Sequence, residues 1–102
     1  MSVLHTVNKS PFQTTALASC LDHTRPGDAI LLLEDGVYAA VGGTTLTSRI
    51  EEQIGTVNFF ALGPDLAARG IADSAVMAKI TIVDYFGFVD LVAEHDVSQA
   101  WL

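Results

Sequence analysis

Short aliphatic segments alternate along the chain with segments in which apolar residues recur every third or fourth position. Uninterrupted aliphatic segments are typical of strands covered on both faces of a sheet, and the recurring spacing is typical of amphipathic helices. The pattern predicts strands at residues 2–7, 29–33, 57–62 and 80–83, with a short final edge strand at 97–102. It predicts helices at residues 10–23, 37–41, 47–53, 63–70 and 85–95.

This alternation of strands and helices predicts one domain that spans residues 1–102. Right-handed crossovers between successive strands produce a parallel sheet with helices on both faces. The expected fold class is therefore α/β, a three-layer α/β/α sandwich with a mostly parallel sheet. Ligands of such folds bind beyond the carboxyl ends of the strands, so residues 8–10, 34–36, 63–65 and 84–85 are expected along one edge.

The composition indicates a protein that buries surface against other proteins. Half of the residues are hydrophobic and only 17% are charged, against about 25% charged residues in an average soluble domain. A chain this small cannot bury so many apolar side chains alone, so we expect a permanent oligomer. The net charge of −7, without any cluster of Lys or Arg, argues against binding to nucleic acids or anionic membranes.

The N-terminal residues lack the basic and apolar regions of a signal peptide. The longest apolar run, at residues 29–33, is far shorter than the roughly 20 residues that cross a bilayer. We therefore expect a cytoplasmic protein, in which a lone thiol stays reduced.

Cys20 is the only cysteine in the chain, so an intrachain disulfide or a cysteine-based zinc site is excluded. A helical projection places it in the middle of an apolar arc, which favours a buried structural residue. His23 lies three residues further on and could stabilise a thiolate. The sequence leaves open whether Cys20 is structural, lies at an interface or is a reactive sulfur.

No other motif points to a cofactor or a metal. Asp35, Asp65 and Asp84 each follow a predicted strand and precede a helix, where an N-cap role explains them. Gly42-Gly43 matches neither the P-loop nor the dinucleotide-binding pattern. The three histidines have no metal-ligand spacing, so we expect neither a cofactor nor a metal site.

Trp101 is the only tryptophan and is the penultimate residue. Free termini usually fray, and a large aromatic side chain at this position therefore suggests a docked tail. We expect Trp101 to dock on the edge of its own sheet, although a contact with a neighbouring subunit would also explain it.

The whole chain resembles the DsrH/TusB family, the DsrH-type and TusB-type subunits of bacterial sulfur-relay complexes. The order and spacing of five segments together carry this resemblance. They are LHTVNKSPF at 4–12, LLLEDGV at 31–37, ALGPDLAARG at 61–70, IVDYFGFV at 82–89 and QAW at 99–101.

The resemblance implies a DsrE/F-like fold and a heterohexamer with two kinds of homologous partner, a DsrE/TusD-like and a DsrF/TusC-like subunit. Such complexes take persulfide sulfur from a TusA-like donor and pass it to a DsrC/TusE-like acceptor. The main sulfur-carrying cysteine is expected on the DsrE/TusD-like partner. Whether this chain is itself enzymatic is left open.

Cys20 matches a cysteine of the DsrH-type members, which serve intracellular sulfur oxidation, whereas TusB-type members generally lack it. The resemblance therefore favours a DsrEFH-type complex, with Cys20 as a candidate persulfide carrier and His23 as a candidate thiolate stabiliser. The alternatives are a TusB-type subunit of the relay that thiolates the wobble uridine of tRNA, and a purely structural subunit.

Overall fold

The computed structural model describes residues 1–102 as five strands and four α-helices around one sheet. The strands are β1 (Val3–Val7), β2 (Ala29–Leu32), β3 (Asn58–Leu62), β4 (Thr81–Val83) and β5 (Val97–Trp101). The α-helices are α1 (Ala16–His23), α2 (Thr47–Gln53), α3 (Gly63–Ala68) and α4 (Tyr85–Glu94), and 3₁₀ helices cover Glu34–Ala40 and Asp73–Ala75.

The sheet has the strand order β4-β3-β2-β1-β5, and every neighbouring pair is parallel. The predicted α/β/α sandwich is confirmed, with a sheet that is parallel throughout. All four residues of β2 are buried, as its continuous aliphatic run predicts for a central strand covered on both faces. β5 lies at the edge next to β1, where the sequence predicts a final edge strand.

The two faces of the sheet have separate apolar cores. The larger core brings together α1, the long 3₁₀ helix, α2 and α3 against one face, and Cys20 belongs to it. The smaller core lies on the opposite face, where α4 is the only helix that contributes, through Leu91 and Phe88. The longest helix, α4, has 10 residues, which is too few to span a bilayer.

The first helix begins later than predicted. Ser10 is buried, and its hydroxyl accepts a hydrogen bond from the Phe12 N–H at 3.1 Å. Its carbonyl accepts from the N–H groups of Gln13 and Thr14, so residues 11–13 form a turn. These are the bonds of a helix N-cap, but the turn that Ser10 caps does not continue into α1, because residues 14 and 15 are not helical. The predicted helix at residues 10–23 is therefore wrong in its first half, and α1 begins at Ala16.

Candidate functional site

Cys20 is the residue on which a sulfur-transfer role would depend, and it lies in the larger core with no solvent-exposed surface. α1 places Leu17, Cys20 and Leu21 on its buried side. Burial raises the pKa of the Cys20 thiol to about 12, and the negative charge of Asp28 adds to the effect. With that pKa, about one thiol in 10⁵ is ionised at pH 7. Burial and the raised pKa both disfavour nucleophilic attack by this thiol in this conformation, because the thiolate is the reactive form.

His23 shares the last turn of α1 with Cys20 but makes other contacts. Its Nδ1–H donates to the carbonyl of Ser19 at 2.7 Å. Its ring lies 5.4 Å from the ring of Trp101, measured between centroids. The structure contains no hydrogen bond between His23 and Cys20. The two candidate site residues lie in the same helix without a hydrogen bond between them. The carrier role of Cys20 and the stabilising role of His23 stay predictions.

A buried polar network lies on the same face of the sheet. The indole Nε1–H of Trp101 donates to Nδ1 of His5 at 3.0 Å. Since an indole nitrogen is only a donor, Nδ1 must accept, and the neutral ring carries its proton on Nε2. This Nε2–H donates to Asp28 at 2.9 Å. The network links β1, β5 and the residue that precedes β2, and it fixes the tautomer of His5.

Asp28 is the acidic end of this network. Burial alone would raise its pKa, but hydrogen bonds from His5 and from the backbone N–H groups of Arg25 and Val3 outweigh burial. The net result is a pKa below the ordinary value, so the carboxylate is ionised at neutral pH. Burial is the main cause of the raised pKa of the Cys20 thiol, and the negative charge of Asp28 raises it further.

Trp101 occupies the position that the sequence predicts for it. It is half-buried, packs against the larger core and holds the tail on its own sheet edge. The roles of His5 and Asp28 were missed, because 96 positions separate His5 from Trp101. The available signals were a histidine inside an apolar strand and an aspartate directly before a buried strand.

The carboxyl ends of β1 to β4 meet at one edge of the sheet, as predicted. Glu34 adopts a left-handed φ of 50°, and its N–H donates to the Asp65 carboxylate at 2.6 Å. Asp35 forms an ion pair with Arg69 at 2.8 Å. Asp84 caps α4 by accepting from the Gly87 N–H at 2.8 Å. The N-cap prediction is therefore confirmed for Asp84 and wrong for Asp35 and Asp65, which lie inside their helices and bind Arg69 and the Glu34 N–H.

Gly36 shows how closely the chain packs at this edge. A Cβ atom added to it would lie 2.1 Å from the Val7 carbonyl oxygen, so only glycine fits. The Oδ1 atom of Asn8 is buried without a hydrogen-bond partner. No group of three or more His, Cys, Asp or Glu side chains is arranged to hold a metal ion. The edge therefore combines a close backbone approach at Gly36 with an unpartnered polar atom at Asn8.

Comparison with known proteins agrees with the resemblance over nearly the whole chain. A family model described as DsrH like protein matches residues 9–98. The chain is 35% identical to Protein TusB of Pectobacterium parmentieri over 99 residues, which cover 97% of this chain and 100% of that protein. It is 36% identical to Protein TusB of Escherichia coli K12, with the same coverage.

Solved structures share the fold at low sequence identity. The ychN protein from E. coli superposes with a TM-score of 0.83 and 14% identity over 98% of both chains. A protein from Methanobacterium thermoautotrophicum superposes with a TM-score of 0.74 and 16% identity, covering 97% of this chain and 96% of that one. At these identities the likeness concerns the fold alone.

Proposed function

This chain belongs to the DsrH/TusB family, and we propose that it is a subunit of a sulfur-relay complex. The observation that carries the proposal is the full-length similarity to proteins named TusB. The chain contributes structure to the complex, and the sulfur-carrying cysteine belongs to a homologous partner subunit. The burial of Cys20 and its raised pKa support this division of roles.

We propose that the complex serves the thiolation of the wobble uridine of tRNA. The named relatives are TusB proteins, so they favour this alternative over the DsrEFH-type reading. Intracellular sulfur oxidation remains the second candidate, because the chain has the cysteine that resembles the one in DsrH-type members and matches the DsrH family model. The two candidates differ in the acceptor of the sulfur and not in the fold of this subunit.

The proposed partners are a DsrE/TusD-like and a DsrF/TusC-like subunit, with a TusA-like donor and a DsrC/TusE-like acceptor. In each step a thiolate attacks the outer sulfur of a donor persulfide, a new S–S bond forms, and the donor leaves as a thiolate. The step has no net oxidation or reduction. It requires reduced thiols, which is why we place the complex in the cytoplasm.

Deletion of this chain in its own organism tests the choice of pathway. We expect tRNA to lose its wobble 2-thiouridine, measured by mass spectrometry of digested tRNA, and a plasmid copy to restore it. The Cys20→Ala variant should restore it equally well, since a structural subunit does not need the thiol. Intact 2-thiouridine together with loss of sulfur oxidation would instead select the second candidate.

Incubation of the assembled complex with a persulfidated TusA-like donor tests the role of Cys20. A carrier would gain about 32 Da, one sulfur atom, which a reductant would remove. We expect this gain on the DsrE/TusD-like subunit and not on this chain. If this chain gains the sulfur, and if His23→Ala slows the gain, Cys20 is a carrier and the structural role is wrong.

A further inference from the structure

Helix α4 has apolar side chains on more than one side. Phe88 and Leu91 pack against the sheet. Tyr85, Phe86 and Val89 are largely exposed, as is about half of Val92. A surface helix with one buried face needs an apolar stripe about 100° wide. The apolar arc of α4 is more than twice that width at 100° per residue, which is typical of a helix buried on two sides.

The exposed residues form one continuous patch. Tyr85, Val89 and Val92 are three or four positions apart, and Phe86 lies beside them on the helix surface. We call these four residues the α4 patch. They leave on the order of 400 Å² of mostly apolar surface exposed, which is the size of the largest apolar patch on a typical monomer, and such patches are often functional. One partner in a standard interface buries about 800 Å², so the patch would supply roughly half of such a contact.

The charged residues of α4 and of its N-cap are all negative. Asp90 and Glu94 are the two charged residues of α4, and Asp84 caps its first turn. From Ile80 to the C-terminus the chain contains no Lys or Arg. In a symmetric dimer through this patch, the carboxylates of the two α4 helices would face each other, and residues 80–102 supply no Lys or Arg to compensate them. The charges therefore disfavour a second copy of this chain and favour a partner with a basic rim.

We propose that the α4 patch is the docking surface for a homologous subunit of the complex, whose contact surface is apolar at its centre and rich in Lys or Arg at its rim. The proposal rests on the proposed function, because it names where a partner subunit binds. Phe86 is the expected anchor, since the residue is 82% exposed and lies in the middle of the outward face of α4. Large aromatic side chains are frequent anchors of protein interfaces.

Co-expression with the two homologous subunits tests the proposal. We expect Phe86→Ala with Val89→Ala to weaken assembly at least tenfold, measured by native mass spectrometry or sedimentation of the purified subunits at several concentrations. Phe12→Ala is the matched control, because Phe12 is also a phenylalanine with 68% exposure but lies in the turn at residues 11–13. The control should assemble like the wild type.

The outcomes separate this inference from the proposed function. If the wild type fails to assemble with either subunit, the proposed function fails. If the wild type assembles and the α4 double variant assembles equally well, or if the Phe12 control loses as much, the docking surface is wrong. If the isolated chain forms a dimer that the double variant abolishes, a second copy occupies the α4 patch and the proposed heterologous partner is wrong.

The predicted basic rim has its own test. Asp90→Lys places a positive charge against a basic partner and should slow association at least tenfold, with a smaller effect at high salt. Asp73→Lys is the control, because Asp73 lies in the short 3₁₀ helix and not on α4. If Asp90→Lys associates as fast as the control or faster, the partner does not have a basic rim.

Discussion

The two faces of the sheet differ in how completely the chain covers them. On one face, α1, α2, α3 and the long 3₁₀ helix enclose a core of 15 buried residues that includes Cys20. On the other face, α4 alone covers a core of five buried residues and exposes the α4 patch to solvent. The thiol that suggests chemistry is enclosed, and the surface that suggests binding is open.

This difference indicates what each face contributes to a sulfur relay. A carrier thiol must be ionised and must reach a partner, and the face that holds Cys20 provides neither condition. A structural subunit needs an apolar surface that its own fold leaves uncovered, and α4 provides one. The comparison therefore favours a subunit that works through its surface. The predictions below test each face in turn.

Deletion of Gln99 to Leu102 should lower the free energy of unfolding more than any other change to the sheet face that holds Cys20. It removes Trp101 and three of the five pairings between β1 and β5. We expect the free energy of unfolding to fall by about 3 to 4 kcal/mol, a large part of the roughly 5 to 15 kcal/mol of a typical domain. Urea unfolding followed by circular dichroism measures it. Trp101→Phe is the control, because it keeps an aromatic ring and removes the hydrogen bond to His5. Its expected loss of unfolding free energy is smaller.

Cys20→Ser should lower the free energy of unfolding by about 2 kcal/mol, because a hydroxyl replaces a thiol inside an apolar core. The chain should still fold, since the helix can satisfy the hydroxyl by a bond to a preceding carbonyl. Cys20→Ala is the matched control without a new polar group. A variant as stable as the wild type would show that the Cys20 region is more open than the structure indicates.

Labelling of Cys20 with a thiol reagent tests the burial of this residue directly. We expect the native chain to react at a rate limited by opening of the structure, far more slowly than the urea-unfolded chain. The raised pKa also has a consequence for stability. The protonated Cys20 thiol contributes fully to the free energy of unfolding below the unfolded pKa of about 8.5. This contribution is lost as the pH rises toward the folded pKa of about 12. Rapid labelling of Cys20 in the native chain would contradict its burial and favour the carrier role.

Asp28→Asn should cost about 1 to 2 kcal/mol at pH 7, because it removes the charged acceptor of three hydrogen bonds. The pKa of Asp28 is lower in the folded state than in the unfolded chain. Its contribution is therefore fully present above the unfolded value of about 3.9 and is lost as the pH falls below it. The stability difference between wild type and variant should shrink in acid. A constant difference between pH 7 and pH 3 would contradict this.

The sequence predicts the layers of the fold better than it predicts the polar contacts. Periodicity identified every strand, because an aliphatic run such as residues 29–32 has few other stable environments. It also placed Cys20 on the buried side of its helix. The start of α1 was missed because the turn that Ser10 caps ends at residue 13 and the helix resumes only at Ala16. The network of His5, Asp28 and Trp101 was missed because only the folded sheet brings these residues together.

The smallest expected effect on stability is that of a substitution at Phe86, on the sheet face that α4 covers. Phe86 and Phe88 are two positions apart in α4, but only Phe88 packs against the sheet core. We expect Phe86→Ala to change the free energy of unfolding of the isolated chain by less than about 0.5 kcal/mol, as at other exposed sites. Phe88→Ala should cost about 2 to 3 kcal/mol, because it opens a cavity beside Leu91.

The two variants therefore separate folding from docking on one helix. Phe86→Ala should leave the urea midpoint unchanged and weaken assembly, whereas Phe88→Ala should lower the midpoint first. If Phe86→Ala destabilises the isolated chain as much as Phe88→Ala does, the outer face of α4 is part of the folded core. The apolar surface of α4 would then stabilise this chain itself and would not be available to a partner subunit.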